Sequence, residues 1–234
     1  VYKRQVQLYV RRSQATRTKY NPNWPRASTR FAFGHQTRDN VFWSLASGVP
    51  IVTAFEVVGL WLFATGHIVW LRWSTDPVWI VVIMLLVPIW REVHFYAIHR
   101  LIHVPGLYRR VHALHHRNTN PGPWSGLSMH PVEHVAYFSA MAIHWIVPSH
   151  PLHMLFNQFH LLMAPVPGHA GFGRVEVGGA TLPTHGYAHY LHHKYFEVNY
   201  SDGAVPLDRW FGSFHDGSPE AAARLRARKT AAHV

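Results

Sequence analysis

The chain contains no cysteine among its 234 residues. That excludes disulfides, thiolate-ligated metals, iron–sulfur clusters and cysteine nucleophiles. Acidic residues are scarce, 11 Asp and Glu against 22 Lys and Arg, leaving a formal net charge of +11. No H-E-x-x-H motif, flavin or nucleotide fingerprint occurs, and no internal repeat. Val1 is not preceded by an initiator methionine and begins no signal-peptide pattern, which leaves an upstream segment open.

What the chain has instead is apolar surface and histidine. Hydrophobic residues make up 48%, with 10 Trp, and histidines number 21. A basic excess suits nucleic acid, an anionic membrane or an acidic partner. The apolar residues lie in long blocks, not in a basic, aromatic-interleaved groove, and that favours membrane lipids over nucleic acid. Residues 49–71 contain a single acid, Glu56. At ~1.5 Å per residue this stretch reaches about 35 Å, enough to cross a bilayer. Glu56 is costly in lipid and should face the bundle or an aqueous pocket. Residues 77–90 are apolar without interruption, and helical periodicity continues to His103. One long helix is expected, leaving the membrane near Arg91. Residues 135–147 and 152–164 form a second apolar pair around Pro148-Ser-His-Pro151. Each arm is short, as in a partly re-entrant hairpin.

The expected fold is therefore all-α and integral to the membrane, with about four embedded helices in two hairpins and a cytosolic, histidine-rich helical cap. Three regions follow: a basic arm at 1–40, a membrane domain at 41–217, and a basic helical tail at 218–234. Residues 165–183, rich in Gly and Pro, read as loop, and 184–196 as a helix with Thr184 at its N-cap. Basic residues crowd the arm, residues 91–117 and the tail, which places all three on the cytoplasmic side.

The histidines carry the chemistry. On a helix ending at His103, Glu92, Tyr96, His99 and His103 share one face, while His94 points elsewhere. His112-Ala-Leu-His115-His116 groups three imidazoles at i, i+3 and i+4, and His189-Tyr-Leu-His192-His193 repeats the pattern, with His185 extending its stripe. Eight imidazoles are too many for one zinc and suit two metals with open positions. Glu92 and Tyr96 are candidates to steady an imidazole from behind; for Glu92 a surface carboxylate near Arg91 is the alternative. Asp208 beside Arg209 reads as a structural ion pair.

At these residues the sequence resembles the fatty acid hydroxylase and sterol desaturase superfamily of membrane di-iron enzymes. The resemblance rests on His99-Arg-Leu-Ile-His103 and the two H-x-x-H-H motifs. Asn118…Pro121, His130-Pro-Val-Glu133, Gly168-His-Ala-Gly-Phe172, and Asn199-Tyr200 followed by Pro206-Leu-Asp-Arg-Trp-Phe-Gly212 reinforce it, over roughly residues 85–217. It implies two iron ions, exchangeable for zinc in a purified sample, and O2-dependent hydroxylation or desaturation of a hydrophobic, lipid-like substrate such as a sterol, acyl lipid or carotenoid. It also implies electrons from an external ferredoxin or cytochrome. By position His169 joins the site, with His185 as competitor. His130 and His134 match the family's H-P-x-E stretch, where a capped, packed helix start is the alternative. Two rivals from other classes are a metal-binding membrane transporter and a metal-dependent membrane hydrolase.

Overall fold

A computed structural model describes residues 26–172, 174–177, 180–183 and 186–231. Most of the expected basic arm, Thr184 and His185 lie outside these residues. Among the described residues, two helices are long and apolar enough to cross a membrane. The first, α1 (Gln36–Ala64), contains a π-helical turn at Ser44–Gly48. The second, α2 (Pro77–Ile102), is capped by His103, as the periodicity predicts. Helix α1 starts inside the stretch read as an arm, because Gln36 is buried and bonds Asn118 and the Asn120 carbonyl.

After α2 a π-helical turn, Tyr108–His112, runs into α3 (Ala113–His116). The second hairpin has α4 (Pro131–Phe138), continued through Ser139–Ala142 and Ile143–Ile146, as its first arm, and α5 (Pro151–Met163) as its second. The tips of the two hairpins are bonded to each other. Leu71 N donates to Ser149 O (3.1 Å) and Ser149 N to Val69 O (3.3 Å). Both hairpins thus point the same way, and the histidine motifs gather at the opposite end. The core between them comprises Val52, Phe63, Leu127, Tyr137, Phe138, Met141, Met154 and Leu161 among others. Helices α1 and α5 approach closely because Gly59 has no side chain; a Cβ there would collide with Met154 Sδ. Glu56 faces this bundle and accepts from Gln158 Nε2 of α5 (2.8 Å), as its cost in lipid requires.

Three expectations need correction. Within 165–183, read as loop, an antiparallel hairpin that pairs β1 (Arg174–Val177) with β2 (Ala180–Pro183) accompanies the otherwise helical fold. Arg91 does not face outward as a boundary charge would. It is 5% exposed and turned inward, bonded to Glu92 (3.0 Å) and Asp202 (2.8 Å), while the exposed residues that follow include apolar Val93 and Leu101 as well as Arg100. Asp208 does not pair with Arg209. It is buried and accepts from Tyr200 N, Ser201 N, Ser201 Oγ and Ser213 Oγ, whereas Arg209 lies over the Phe214 ring. Beside several short helical turns, two further helices are α6 (Gly186–Tyr195) and the basic, mostly exposed α7 (Pro219–Ala231).

Candidate metal centre

Histidines from four segments meet in two adjoining groups. His99, His103, His112, His116 and His192 offer ligand atoms within 4.8 Å of one another, and His115, His169, His189 and His193 do the same. Each H-x-x-H-H motif is divided between the groups. The first gives its i and i+4 members, His112 and His116, to the five-membered group and His115 to the other. The second gives His189 and His193 to the four-membered group and His192 to the five. Residues i and i+4 share a helical face, and i+3 is turned about 100° away from i+4, so one short helix serves two centres. All but His103 are buried.

The rings are held from behind. Nδ1 of His99 bonds Tyr200 O (2.6 Å), of His192 Val198 O (2.7 Å), of His115 Ser128 O (3.2 Å) and of His169 Pro165 O (2.8 Å). A carbonyl only accepts, so in each ring Nδ1 carries the proton and Nε2 presents a bare lone pair. The fifth tether is a carboxylate: His112 Nδ1 lies 2.7 Å from Glu133 Oε1, both groups buried.

This tautomer pattern tests whether a metal fits. His115 Nε2 and His169 Nε2 stand 3.3 Å apart. Both have given their proton to a carbonyl on the far side, so two lone pairs face each other. Protonating a ring would not relieve the contact cheaply, since burial and the neighbouring imidazoles drive His115, His189 and His193 well below their ordinary value. In the other group burial does the same to His112, His116 and His192, and pushes His103 to about 2. A metal cation turns the lone-pair contact into ligation. Nitrogens at ~2.0–2.1 Å from one metal stand about 3.0–3.4 Å apart. The Nε2 pairs His189–His169 (2.9 Å), His193–His189 (3.0 Å) and His192–His116 (3.1 Å) cluster around that spacing. Unpartnered buried nitrogens at His103 Nε2 and His112 Nε2 add to the demand.

The other candidates sit elsewhere. Glu92 bonds Arg91 and the Gly203 amide, so it secures the loop whose Tyr200 carbonyl holds His99 rather than an imidazole itself. Tyr96 accepts from Arg100 (3.0 Å). His130 caps α4 through Val132 N, and His134 sits between Ser47 Oγ and Leu127 O. These two follow the capped, packed alternative. His169 is in the centre. Sequence reasoning assigned no role to Glu133, although an acid in the first turn behind a His cap was visible. Nor did it find the carbonyls of Ser128, Val198 and Tyr200, which have no side-chain signature. Phe95, Ile98, Ile102, Met129 and Tyr137 line a small, mainly apolar cavity together with His99, His112 and His115.

The profile of the fatty acid hydroxylase family matches residues 81–213, which include every histidine of both groups. The chain is 28% identical over 148 residues to a Delta(7)-sterol 5(6)-desaturase of Gibberella zeae, covering 61% of this chain and 44% of that protein. Against a second such desaturase, from Aspergillus fumigatus, identity is 27% over 165 residues, covering 60% and 51%. The human fatty acid hydroxylase domain-containing protein 2 is 35% identical over 72 residues, covering 27% and 22%. The chain thus spans about half the length of the sterol desaturases it matches, and no solved structure matches it significantly. With a family profile over more than half its length and that profile's span enclosing the paired histidine groups, the chain belongs to the fatty acid hydroxylase family.

Proposed function

We propose that this chain catalyses the O2-dependent hydroxylation or desaturation of an unactivated C–H bond in a hydrophobic, lipid-like substrate at a two-iron, all-histidine centre. The observation that carries the reading is the convergence of bare Nε2 lone pairs from rings whose Nδ1 protons are tied to carbonyls. His99, His103, His112, His116 and His192 hold one ion, and His115, His169, His189 and His193 the other. Zinc can displace iron at such sites, because imidazole suits both.

Bound iron supplies the oxygen chemistry that no side chain can perform. The protein positions and shields. Tyr200, Val198, Ser128 and Pro165 fix four ring orientations through their carbonyls, and Glu133 fixes a fifth and makes His112 the more basic ligand. Phe95, Ile98, Ile102, Met129 and Tyr137 form the apolar wall beside the histidines and would shield the reacting carbon from water. The sterol desaturases among its relatives support a membrane-borne substrate of this kind.

The enzyme domain, residues 41–217, is a multi-pass membrane protein in which α1, α2 and the second hairpin embed. The arm (1–40), the centre and the tail (218–234) lie on the cytoplasmic side. Exposed Arg109, Arg110, Lys194, Arg224, Arg226 and Arg228 support that side and suit an acidic ferredoxin or cytochrome as electron donor. Arg117, expected in the same patch, is taken up by Asp39 (3.0 Å).

The test incubates the purified protein, in lipid, with a reductant system, O2 and a membrane lipid extract. Mass spectrometry should find products heavier by one oxygen atom or lighter by two hydrogens. His115→Ala should abolish them, and His94→Ala should not, since His94 bonds Ser139 away from both groups. No product with any lipid class, or equal damage from the two variants, would remove the proposal.

A further inference from the structure

Beside the metal-bearing helices, the short helical turn Leu207–Trp210 leads into an exposed aromatic cluster. Trp210 is 67% exposed and Phe211 62%, and Phe214 also faces outward. Large apolar groups held in the open mark a surface that meets something apolar. These are held. Asp208 anchors the turn from inside through four donors at 2.6–2.8 Å. Gly212, at φ 71°, lets the chain bend immediately after Phe211, in a region that favours glycine. Phe211 stacks on Tyr96 of α2, ring centroids 5.5 Å apart.

Arginines accompany the aromatic rings. The Arg209 guanidinium lies 3.9 Å over Phe214, and Arg100 lies 5.8 Å over Tyr96 and 5.2 Å over Tyr200. Around Tyr96, α2 presents Val93 and Leu101 outward, continuing the exposed apolar face that begins at Val78, Leu85 and Ile89. The aromatic turn therefore adjoins the very face that a spanning α2 turns to lipid.

The geometry points to the segment 207–214 as a bilayer-interface anchor that seats the histidine end of the molecule on phospholipid. Indole and phenyl rings settle among headgroups, and guanidinium groups bond phosphate oxygens. A soluble acidic carrier would match the arginines but leave Trp210 and Phe211 against water. The inference rests on the proposal that α1 and α2 cross the membrane, and the experiment separates the two.

Because the chain has no cysteine, a single one can be placed at will. Trp210→Cys, Phe214→Cys and, as a reference within α2, Leu85→Cys are each labelled with a fluorophore in the metal-loaded protein. Each is then reconstituted in phosphatidylcholine liposomes. Labels at 210 and 214 should lose emission to nitroxide-labelled phospholipid and resist aqueous iodide. Quenching by iodide and not by nitroxide lipid at both positions overturns the anchor. Protection from both quenchers also overturns it, since a protein surface then covers the turn. Loss of lipid quenching at position 85 as well refutes the spanning reading itself; lipid quenching at 85 with none at 210 and 214 refutes the anchor alone.

Discussion

Glu133 bonds His112 with one oxygen, and the other has no partner among the described residues. A buried carboxylate needs a positive charge close by, which a cation held by His112 would supply. Glu133→Ala removes the tether of one ligand in one group. It should weaken metal binding at the five-histidine group by about 10–100-fold, as loss of partners behind metal ligands generally does. Chelator competition monitored by metal analysis checks this, and an unchanged affinity would show the carboxylate to be a bystander. The grouping of the histidines was legible because H-x-x-H-H spacing is local geometry. Glu133 stayed unassigned because its partner is 21 residues away in sequence. His169, among Gly and Pro, belongs to no helical period, whereas His185 extends the stripe of the last motif; the structure places His169 in the second group, and His185 lies outside the described residues.

Among the elements, α2 was legible from its proline start to its histidine end, because both periodicity and apolar length pointed to it. The inward turn of Arg91 was not, since a charge count along a helix does not say which face carries the charge. The β1–β2 hairpin was signalled by the alternation Arg174-Val-Glu-Val177 before Gly178-Gly179, but the Gly and Pro around it suggested loop. The segment Val198–Ser201 acts as a scaffold for two ligands: its carbonyls hold His192 and His99, while Asp208 holds its amides. Asp208→Ala leaves several buried donors unmatched and should destabilise the fold by about 3 kcal/mol or more. Thermal unfolding in detergent should show a clear fall in Tm. A change no larger than that of an exposed control such as Glu220→Ala would contradict the scaffold role.

For the molecule as a whole, the depressed imidazole pKa values fix how the metal-free protein responds to acid. The unfolded chain takes up protons below its ordinary histidine value of 6.5, whereas the buried rings of His115, His116, His192 and His193 resist them. Above that value neither state is charged at these rings, and below it protons favour unfolding. Chelator-stripped protein should therefore lose stability between about pH 7.5 and about pH 5.5, and bound metal should narrow the loss. A metal-free Tm that stays flat across that window would mean that the rings are not buried neutral.

Each H-x-x-H-H helix gives two ligands to one group and one to the other, in opposite senses. If each group holds an ion, as proposed, neither ion can be installed without ordering the helix that its neighbour needs. The first equivalent of metal bears most of the entropic cost of bringing the two helices together, and the second binds to a site already formed. Loading should consequently be all-or-none. In a titration of apoprotein, native mass spectrometry at half saturation should show mainly metal-free and two-metal species, with the singly loaded form suppressed below its statistical share. A singly loaded form at or above that share would mean that the two centres fill independently despite their shared helices.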